Sequence, residues 1–379
     1  VQTAALAEKS VVVAYGRDGF DAEALMAAVD ALDLSHYIGF AYGSGFECQP
    51  QLLAALSEKL PLIGNSPDVV AAVKHPATFF AALTRLGIRH PDVCHALPQQ
   101  HPHDYLIKSG GGCGGTHIRT ASQLHPALAE TDYYQRKIDG HSISLLFLAN
   151  PHGVEAIGFN EQWSSPAAHA PYRYGGAVSN PVLTPGVQEQ LLHAAQKLAR
   201  EFGLTGLNSI DAIVATADAD IAAATDSPLY VLEINPRLSA TVGLYTMDLH
   251  TEDLHRDAAL NLFELHVQAC RNPHSQSERN LQQPDRQCNA HAIVYAAAAL
   301  ELAAPVPWPD WVTDMPACHE QAMIIPAGEP VCTVLASSAD SEVAKKLAQG
   351  RVETMQSLLQ LLNRAAGANA YRGTSALGL

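Results

Sequence analysis

With 379 residues, 47% hydrophobic and 16% charged, the chain has a globular composition, and no apolar run reaches the ~20 residues of a membrane helix, which excludes helical membrane spans. The formal net charge of −15 excludes a general nucleic-acid binder, which carries a basic surface. An anionic ligand would therefore need locally concentrated cations or a metal.

The length predicts two or three domains. The opening VQTAALAEKSVVVAYG lacks the basic start of a secretory leader, its VVVA reads as a first core strand, and the expected location is cytoplasmic. Seven Cys, at 48, 94, 113, 270, 288, 318 and 332, form no C-x-x-C pair and read as free thiols. In chain order, strand 11–16, helix 21–33, strand 37–45, helix 50–60 and the run PLIGN predict a parallel sheet with crossover helices, whose ligands bind beyond the carboxyl ends of the strands. Gly43, Ser44 and Gly45 lie at one such end and read equally as a substrate loop or a tight turn. Asn65-Ser66-Pro67-Asp68 starts a helix expected to run over 68–86.

A second module follows: strand 104–109, the run GGGCGG at 110–115, strands 132–138, 142–149 and 154–160, helix 187–203, strand 207–215 and a strand opening at Tyr230. This is an α+β order of antiparallel strands with helices to one side. Segment 271–287 is polar and aperiodic and reads as a linker or surface loop. Beyond it, 291–300, 306–316 and 331–338 predict a small β-rich appendage covered by a helix over 341–362. The expected domains are 1–66, 67–131, 132–270 and 289–379, with 271–288 as linker.

Lys108 ends an apolar strand and is followed by Gly110, Gly111, Gly112, Gly114 and Gly115. Glycines let backbone N–H groups approach phosphate oxygens and the lysine adds a point charge; the alternative is a flexible hairpin. In YVLEINPRLSAT, period-2 alternation sends Glu233, Asn235 and Arg237 to one face. With Asp211 on the preceding strand, two carboxylates and an amide suit Mg²⁺, which takes hard oxygen donors. The other reading is a structural network of the two carboxylates with Arg237 or a lysine. Lys74 reads as a second phosphate lysine or as a solvated helix residue. The 18 His show no H-E-x-x-H spacing, so His75, His90, His101, His103 and the rest read as surface or packing residues. Trp163, Tyr172 and Tyr174 flank a mobile-looking segment and either cover a site or pack within a loop.

DYLIKSGGGCGG, QRKIDG, SIDAIV and VLEINPR, in that order, resemble the ATP-grasp superfamily of carboxylate–amine ligases from about Leu6 to Phe263. The resemblance implies an α/β and α+β chain of ATP-grasp architecture. Its parts are an N-terminal βαβ substrate domain, a two-part ATP-binding domain starting at KHPATFFAALTRLGIRHPDV, and a small C-terminal appendage outside the common core. It implies that Lys74 and Lys108 reach ATP phosphates under the Gly110 to Gly115 flap. Gln135, Arg136, Lys137 and Ile138 form the adenine-reading hinge, and Asp211, Glu233 and Asn235 bind Mg²⁺, with Glu233 bridging two ions and Mn²⁺ an alternative metal. Lys108 and Arg237 are then catalytic, with Ser239 to Thr241 at the substrate or phosphate. This sequence departs from the family in three places: Gln135-Arg136-Lys137 replace frequent acidic residues, Ser142 replaces a ribose-binding Glu, and Ser209-Ile210 stand where an arginine often precedes the first metal aspartate.

GFNEQW, YRYGGAVSNP and GSGFE resemble a narrower subset, which joins glutamate to tyramine or a related amine in methanofuran-type cofactor assembly, with relatives in one-carbon metabolism. The implied reaction is ADP-forming amide synthesis through an acylphosphate. Its partners are a small carboxylate and a small amine, with neither nucleic acid nor membrane, and the oligomeric state is open between monomer and homodimer. The rival expectations are an ATP-binding sensor or scaffold without ligase activity, and a carboxylase that activates bicarbonate.

Overall fold

The computed structural model describes residues 10–16, 19–99, 101–121, 128–129, 131–215, 227–246, 261–272, 287–302, 306–316 and 323–374. They fall into two compact units, one from the described residues of Val11–Tyr174 and Ser179–Asp285, the other from those of Val1–Ser10, Gly175–Val178 and Arg286–Leu379.

The larger unit opens with a short antiparallel ladder of β1 (Tyr15–Gly16) and β2 (Gly19–Phe20). The core strand expected over 11–16 is not formed: Val11 is 52% and Val12 96% exposed. An apolar run enters a core only where a neighbour pairs with its backbone, and here the ladder involves Tyr15 and Gly16 alone. Helix α1 (Ala22–Asp30) is capped by Asp21, which accepts from the Ala24 N–H. Strands β3 (Phe40–Ala41) and β4 (Leu62–Ile63) pair in parallel across α2 (Pro50–Ser57), the expected βαβ unit with shorter strands. Val29, Phe46, Leu52, Leu53 and Leu56 form its core.

The single helix expected over 68–86 is two, α3 (Pro67–Lys74) and α4 (Pro76–Arg85). The Pro76 ring disfavours helical backbone at His75, which is extended at φ −83 and ψ 114 and serves as the cap between them. Lys74 is thereby the last residue of a helix that stops. Next, β5 (Val93–Cys94), β6 (Tyr105–Ser109), β7 (Arg119–Thr120) and β8 (Asp132–Arg136) form an antiparallel sheet in the order β5-β8-β6-β7. The glycine run lies between β6 and β7.

Strands β9 (Gly140–Asn150) and β10 (Gly153–Ser164) follow, then β11 (Tyr174–Ser179), whose middle belongs to the smaller unit. With β12 (Gly206–Ala215) and β13 (Leu229–Asn235), β9 and β10 form the central sheet of the larger unit, in the order β13-β12-β9-β10. One face presents Leu145, Phe147, Ile210, Ala212, Val231 and Ile234 to α5 (Pro185–Phe202), α3 and α4. The other presents Leu146, Leu148 and Leu207 to α6 (Leu262–Arg271). Helices thus cover both faces rather than the one expected, because β9 is apolar at every position from Leu145 to Ala149. Each large side chain fully buried there contributes about 1.5–3 kcal/mol.

In the smaller unit, Gly175–Val178 of β11, β14 (Cys288–Tyr295), β18 (Pro330–Ser338) and β16 (Val312–Thr313) run antiparallel in that order. β15 (Leu300–Leu302) pairs with β17 (Met323–Ile325). Helix α7 (Ser341–Thr374) covers β14 and β18 with Ala344, Ala348, Met355 and Leu359, and extends past the expected 341–362. Most of the expected linker, 273–286, lies outside the described residues. No helix among the described residues is long and apolar enough to cross a membrane.

Candidate functional site

Strands β12 and β13 carry the predicted metal ligands, and their register explains how a buried strand turns polar. Asp211 pairs with Glu233 and Ser209 with Asn235, but Ala212 pairs with Val231, so Leu232 is an extra residue, a β-bulge. Strict alternation would place Val231 and Glu233 on the same face. The bulge breaks it: Leu229, Val231 and Ile234 face the core, while Glu233 and Asn235 turn to the side of Asp211 and Ser209.

These groups form one network. Asn235 Nδ2 donates to Asp211 Oδ2 at 2.9 Å and to Ser209 Oγ at 3.3 Å, and Gln162 Nε2 donates to Asp211 Oδ1 at 3.1 Å. Lys74 Nζ, at the end of α3, reaches Glu233 Oε2 at 3.0 Å and Asn235 Oδ1 at 3.4 Å. The Lys74 side chain is only 6% exposed, against 37% for Glu233, so the solvated-helix reading of Lys74 does not hold. Lys108, buried at the end of β6, lines the same cleft with Lys74, Glu233, Gly110, Gly111, His117 and Leu232. Among the described residues Lys108 has no ion-pair partner.

The glycine run closes on this cleft. A Cβ at Gly110 would lie 3.0 Å from the Lys74 carbonyl oxygen, and one at Gly115, where φ is +70, would lie 2.0 Å from that of Tyr172. Tyr174 N–H donates to the Gly114 carbonyl at 2.9 Å, so the segment expected to be mobile is tied to the loop; Trp163 lies on β10. Gly111 packs against the backbone of Glu47 and Cys48, and Gly112 against His117. His117 corrects the reading of every histidine as surface or packing: it lines the cleft, and its Nδ1 is buried without a hydrogen bond. No spacing motif marks it.

Arg237 lies just past β13 and all its nitrogens are engaged: Nε with Glu47 Oε1 at 2.6 Å, Nη1 with the Leu238 carbonyl and Nη2 with Asn235 Oδ1 at 3.3 Å. Glu47, whose Oε2 also accepts from the Gly45 N–H at 2.9 Å, is a buried partner that sequence reading missed, though GSGFE contained it. The Gly43 to Gly45 loop is thus joined to the strand of the predicted metal ligands. In the predicted hinge, Gln135 is buried in β8 with Nε2 unpartnered. Arg136 and Lys137 turn outward to Asp92 and Asp139, and their N–H groups donate to the carbonyls of Asp92 and Asp104. Ile138 follows β8 outside regular structure.

Electrostatics separate the two carboxylates. Burial pushes Asp211 up, the neighbouring Glu233 charge adds to it, and Asp211 titrates at about 6. For Glu233 burial acts upward too, but the Lys74 and Lys108 ammonium groups outweigh it and hold the carboxyl near about 2. Burial lowers Lys108 and His117 below their ordinary values, against the pull of Glu233 on both. Among the described residues no three His, Cys, Asp or Glu cluster as a closed metal cage. Two carboxylates and one amide oxygen, with a lysine ammonium between two of them, are instead a set that fits Mg²⁺, which keeps most of its coordination for water and phosphate.

Residues 76–241 match the family described as an ATP-grasp domain. The carbamoyl phosphate synthase large chain of Myxococcus xanthus (strain DK1622) is 23% identical over 209 residues, 48% of this chain and 18% of that protein, so the chain spans under a fifth of its curated relative. Among solved structures, the L-amino acid ligase of Bacillus licheniformis superposes with a TM-score of 0.64 at 15% identity over 88% of this chain and 84% of that one. The biotin carboxylase domain of Hydrogenobacter thermophilus 2-oxoglutarate carboxylase, in complex with MgADP, ADP and bicarbonate, does so with 0.60 at 14% identity over 83% and 72%. A shared fold is what such identities carry, and with the match over residues 76–241 they answer what the network of Asp211, Glu233, Lys74 and Lys108 is built on: the chain has the ATP-grasp fold.

Proposed function

We propose that the protein is an ATP- and Mg²⁺-dependent ligase joining a small carboxylate to a small amine with release of ADP. The observation that carries this reading is that Lys74, Lys108 and Glu233 line one cleft with Gly110 and Gly111, while Asn235, which accepts from Lys74 and donates to Asp211, ties Asp211 to it. In the free protein the Lys74 ammonium stands where a cation would sit, between Glu233 Oε2 and Asn235 Oδ1. Two lysines balance two carboxylates, so a triphosphate entering with a charge of about −4 is matched by two divalent ions, which supports a pair. Bound Mg²⁺ supplies charge neutralisation on the phosphates.

A carboxylate oxygen attacks the γ-phosphorus, the bond to the bridging oxygen breaks, and ADP leaves. The amine nitrogen then adds to the acylphosphate carbon, the acyl C–O bond breaks, phosphate departs and the nitrogen loses its proton. The chain's own work is positioning and charge placement: Lys74 and Lys108 hold phosphoryl oxygens, and the glycine N–H groups cover them. Arg237, fixed by Glu47, sits beside the acyl group. Buried Gln135, with its unpaired amide nitrogen, supports an adenine-facing role for the hinge.

Glutamate with tyramine or tyrosine is the first substrate pair to test, on the likeness of GFNEQW, YRYGGAVSNP and GSGFE to the methanofuran-type and one-carbon subset. ADP release that requires both an acid and an amine is the expected result; ATP retained uncleaved with every pair would leave a binding protein. A bicarbonate-activating reaction is the second reading, favoured by the carbamoyl phosphate synthase and biotin carboxylase likenesses. Bicarbonate-dependent ADP release without an added amine would support it.

A further inference from the structure

Gln162 stands on β10 and Asp211 on β12, with β9 between them in the sheet. At about 4.8 Å per strand the two backbones are roughly 10 Å apart, so the side chains meet only by crossing β9. The register permits the crossing. Asp211 pairs with Ser144 and Ser144 with Asn160, so these three share one face of the sheet, and alternation puts Ser142 and Gln162 on that face beside them. Two short hydroxyl side chains on β9 thus stand where larger ones would block the path. Gln162 Nε2 reaches across to donate to Asp211 Oδ1 at 3.1 Å, whereas the neighbouring Asn160 stops at Ser144 Oγ, 3.2 Å away.

Asp211 is thereby held from both sides. Asn235 Nδ2 donates to Oδ2 from β13, at 2.9 Å, and Gln162 donates to Oδ1 from β10. Both donors are neutral amides, while the Lys74 ammonium bonds to Glu233 and Asn235 instead. A lysine or arginine in the place of Gln162 could fix the carboxylate equally well, but it would offset the charge and compete with a divalent ion. An amide fixes the group, keeps its charge and leaves further lone pairs on each oxygen.

We propose that Gln162 is a positioning residue of the divalent-ion site: its amide clamps Asp211 across β9 and sets the orientation in which the carboxylate meets the ion. This rests on the Mg²⁺-dependent reading above and brings β10 into a site otherwise drawn from β12 and β13.

The test is a titration of Mn²⁺ into the full chain with a non-hydrolysable ATP analogue, followed by paramagnetic resonance, for the parent, Gln162→Met and Gln162→Ala. Methionine keeps the length of the side chain and removes the donor; alanine removes both. The half-saturating Mn²⁺ concentration should rise about tenfold or more in both variants, the usual effect of losing a group that orients a metal ligand. Calorimetry at saturating Mn²⁺ should find the analogue bound with the affinity of the parent. A smaller rise in folded Gln162→Met would overturn the assignment, and so would a rise confined to Gln162→Ala, the mark of a side chain that only fills space. Analogue affinity lost to the same degree at saturating Mn²⁺ would overturn it as well, because the whole cleft would then have changed. Each of these results leaves the ATP reading intact. Failure of the parent to form any ternary complex would overturn both.

Discussion

Lys74 lies between Glu233 and Asn235 in the free protein, and that placement makes its loss informative. Lys74→Met should lower affinity for a triphosphate at fixed Mg²⁺ and let the Glu233 carboxyl titrate higher, which calorimetry and a pH series of binding would detect. Glu233→Gln should cut Mg²⁺-ATP turnover by about a hundredfold or more, since an amide cannot supply the ligand charge, and should lower the melting temperature without abolishing the fold, because the Lys74 and Lys108 ammonium groups lose the carboxylate they face. Asp211 sets the pH dependence. Its folded value of about 6 lies above the ordinary 3.8, so its contribution to stability is present below about pH 4 and lost as pH rises through 6. Metal binding must expel that proton, so the rise in melting temperature caused by Mg²⁺ should be small near pH 5 and grow toward pH 7. A rise of equal size at both would remove Asp211 from the ligand set. Glu233, held near about 2, behaves oppositely: its contribution is present above the ordinary carboxylate range and falls only in strong acid.

At the scale of elements, chain-local features were legible and cross-chain ones were not. The strand carrying Lys108, the Ser66 cap accepting from the Val69 N–H, and the placing of Asp211 and Glu233 on neighbouring strands follow from propensity, capping and alternation within short windows. Pro76 was visible in the sequence, and its effect on His75 should have divided the helix over 68–86. The Leu232 bulge was not visible, because alternation in VLEIN looks regular; only the register against β12 reveals that Glu233 changes face. Deleting Leu232 would make the ladder regular while keeping Val231 on the core face and Glu233 on the cleft face. That deletion should fold, with a melting temperature close to the parent's, but with weakened nucleotide binding because Leu232 also lines the cleft. Two glycines flanking the turn before β12 behave differently. A Cβ at Gly203 meets nothing within 4 Å, so Gly203→Ala should cost only the backbone term of about 1 kcal/mol. At Gly206, where φ is +69, a Cβ would lie 2.4 Å from His266 Nδ1, the acceptor for Leu207 N–H. Gly206→Ala should therefore cost about 3 kcal/mol or more in a urea titration.

Over the whole molecule, the order of motifs carried the fold, because each piece of an ATP-grasp chain is weak alone and the sequence of pieces is not. The partners of the candidate site were harder to read, since Glu47 and Arg237 meet across 190 residues and His117 has no motif at all. Such contacts depend on which segments the sheets bring together, and no local window contains both halves. In the function proposed above, Asp211, Glu233 and Asn235 hold a divalent ion on the same nucleotide that Lys108 and the glycine run enclose. Paramagnetic resonance of Mn²⁺, titrated with a non-hydrolysable ATP analogue, tests it most directly. The parent chain should form a ternary complex with an altered Mn²⁺ spectrum that disappears in Glu233→Gln and weakens in Lys108→Ala. An identical ternary spectrum in Glu233→Gln would contradict it.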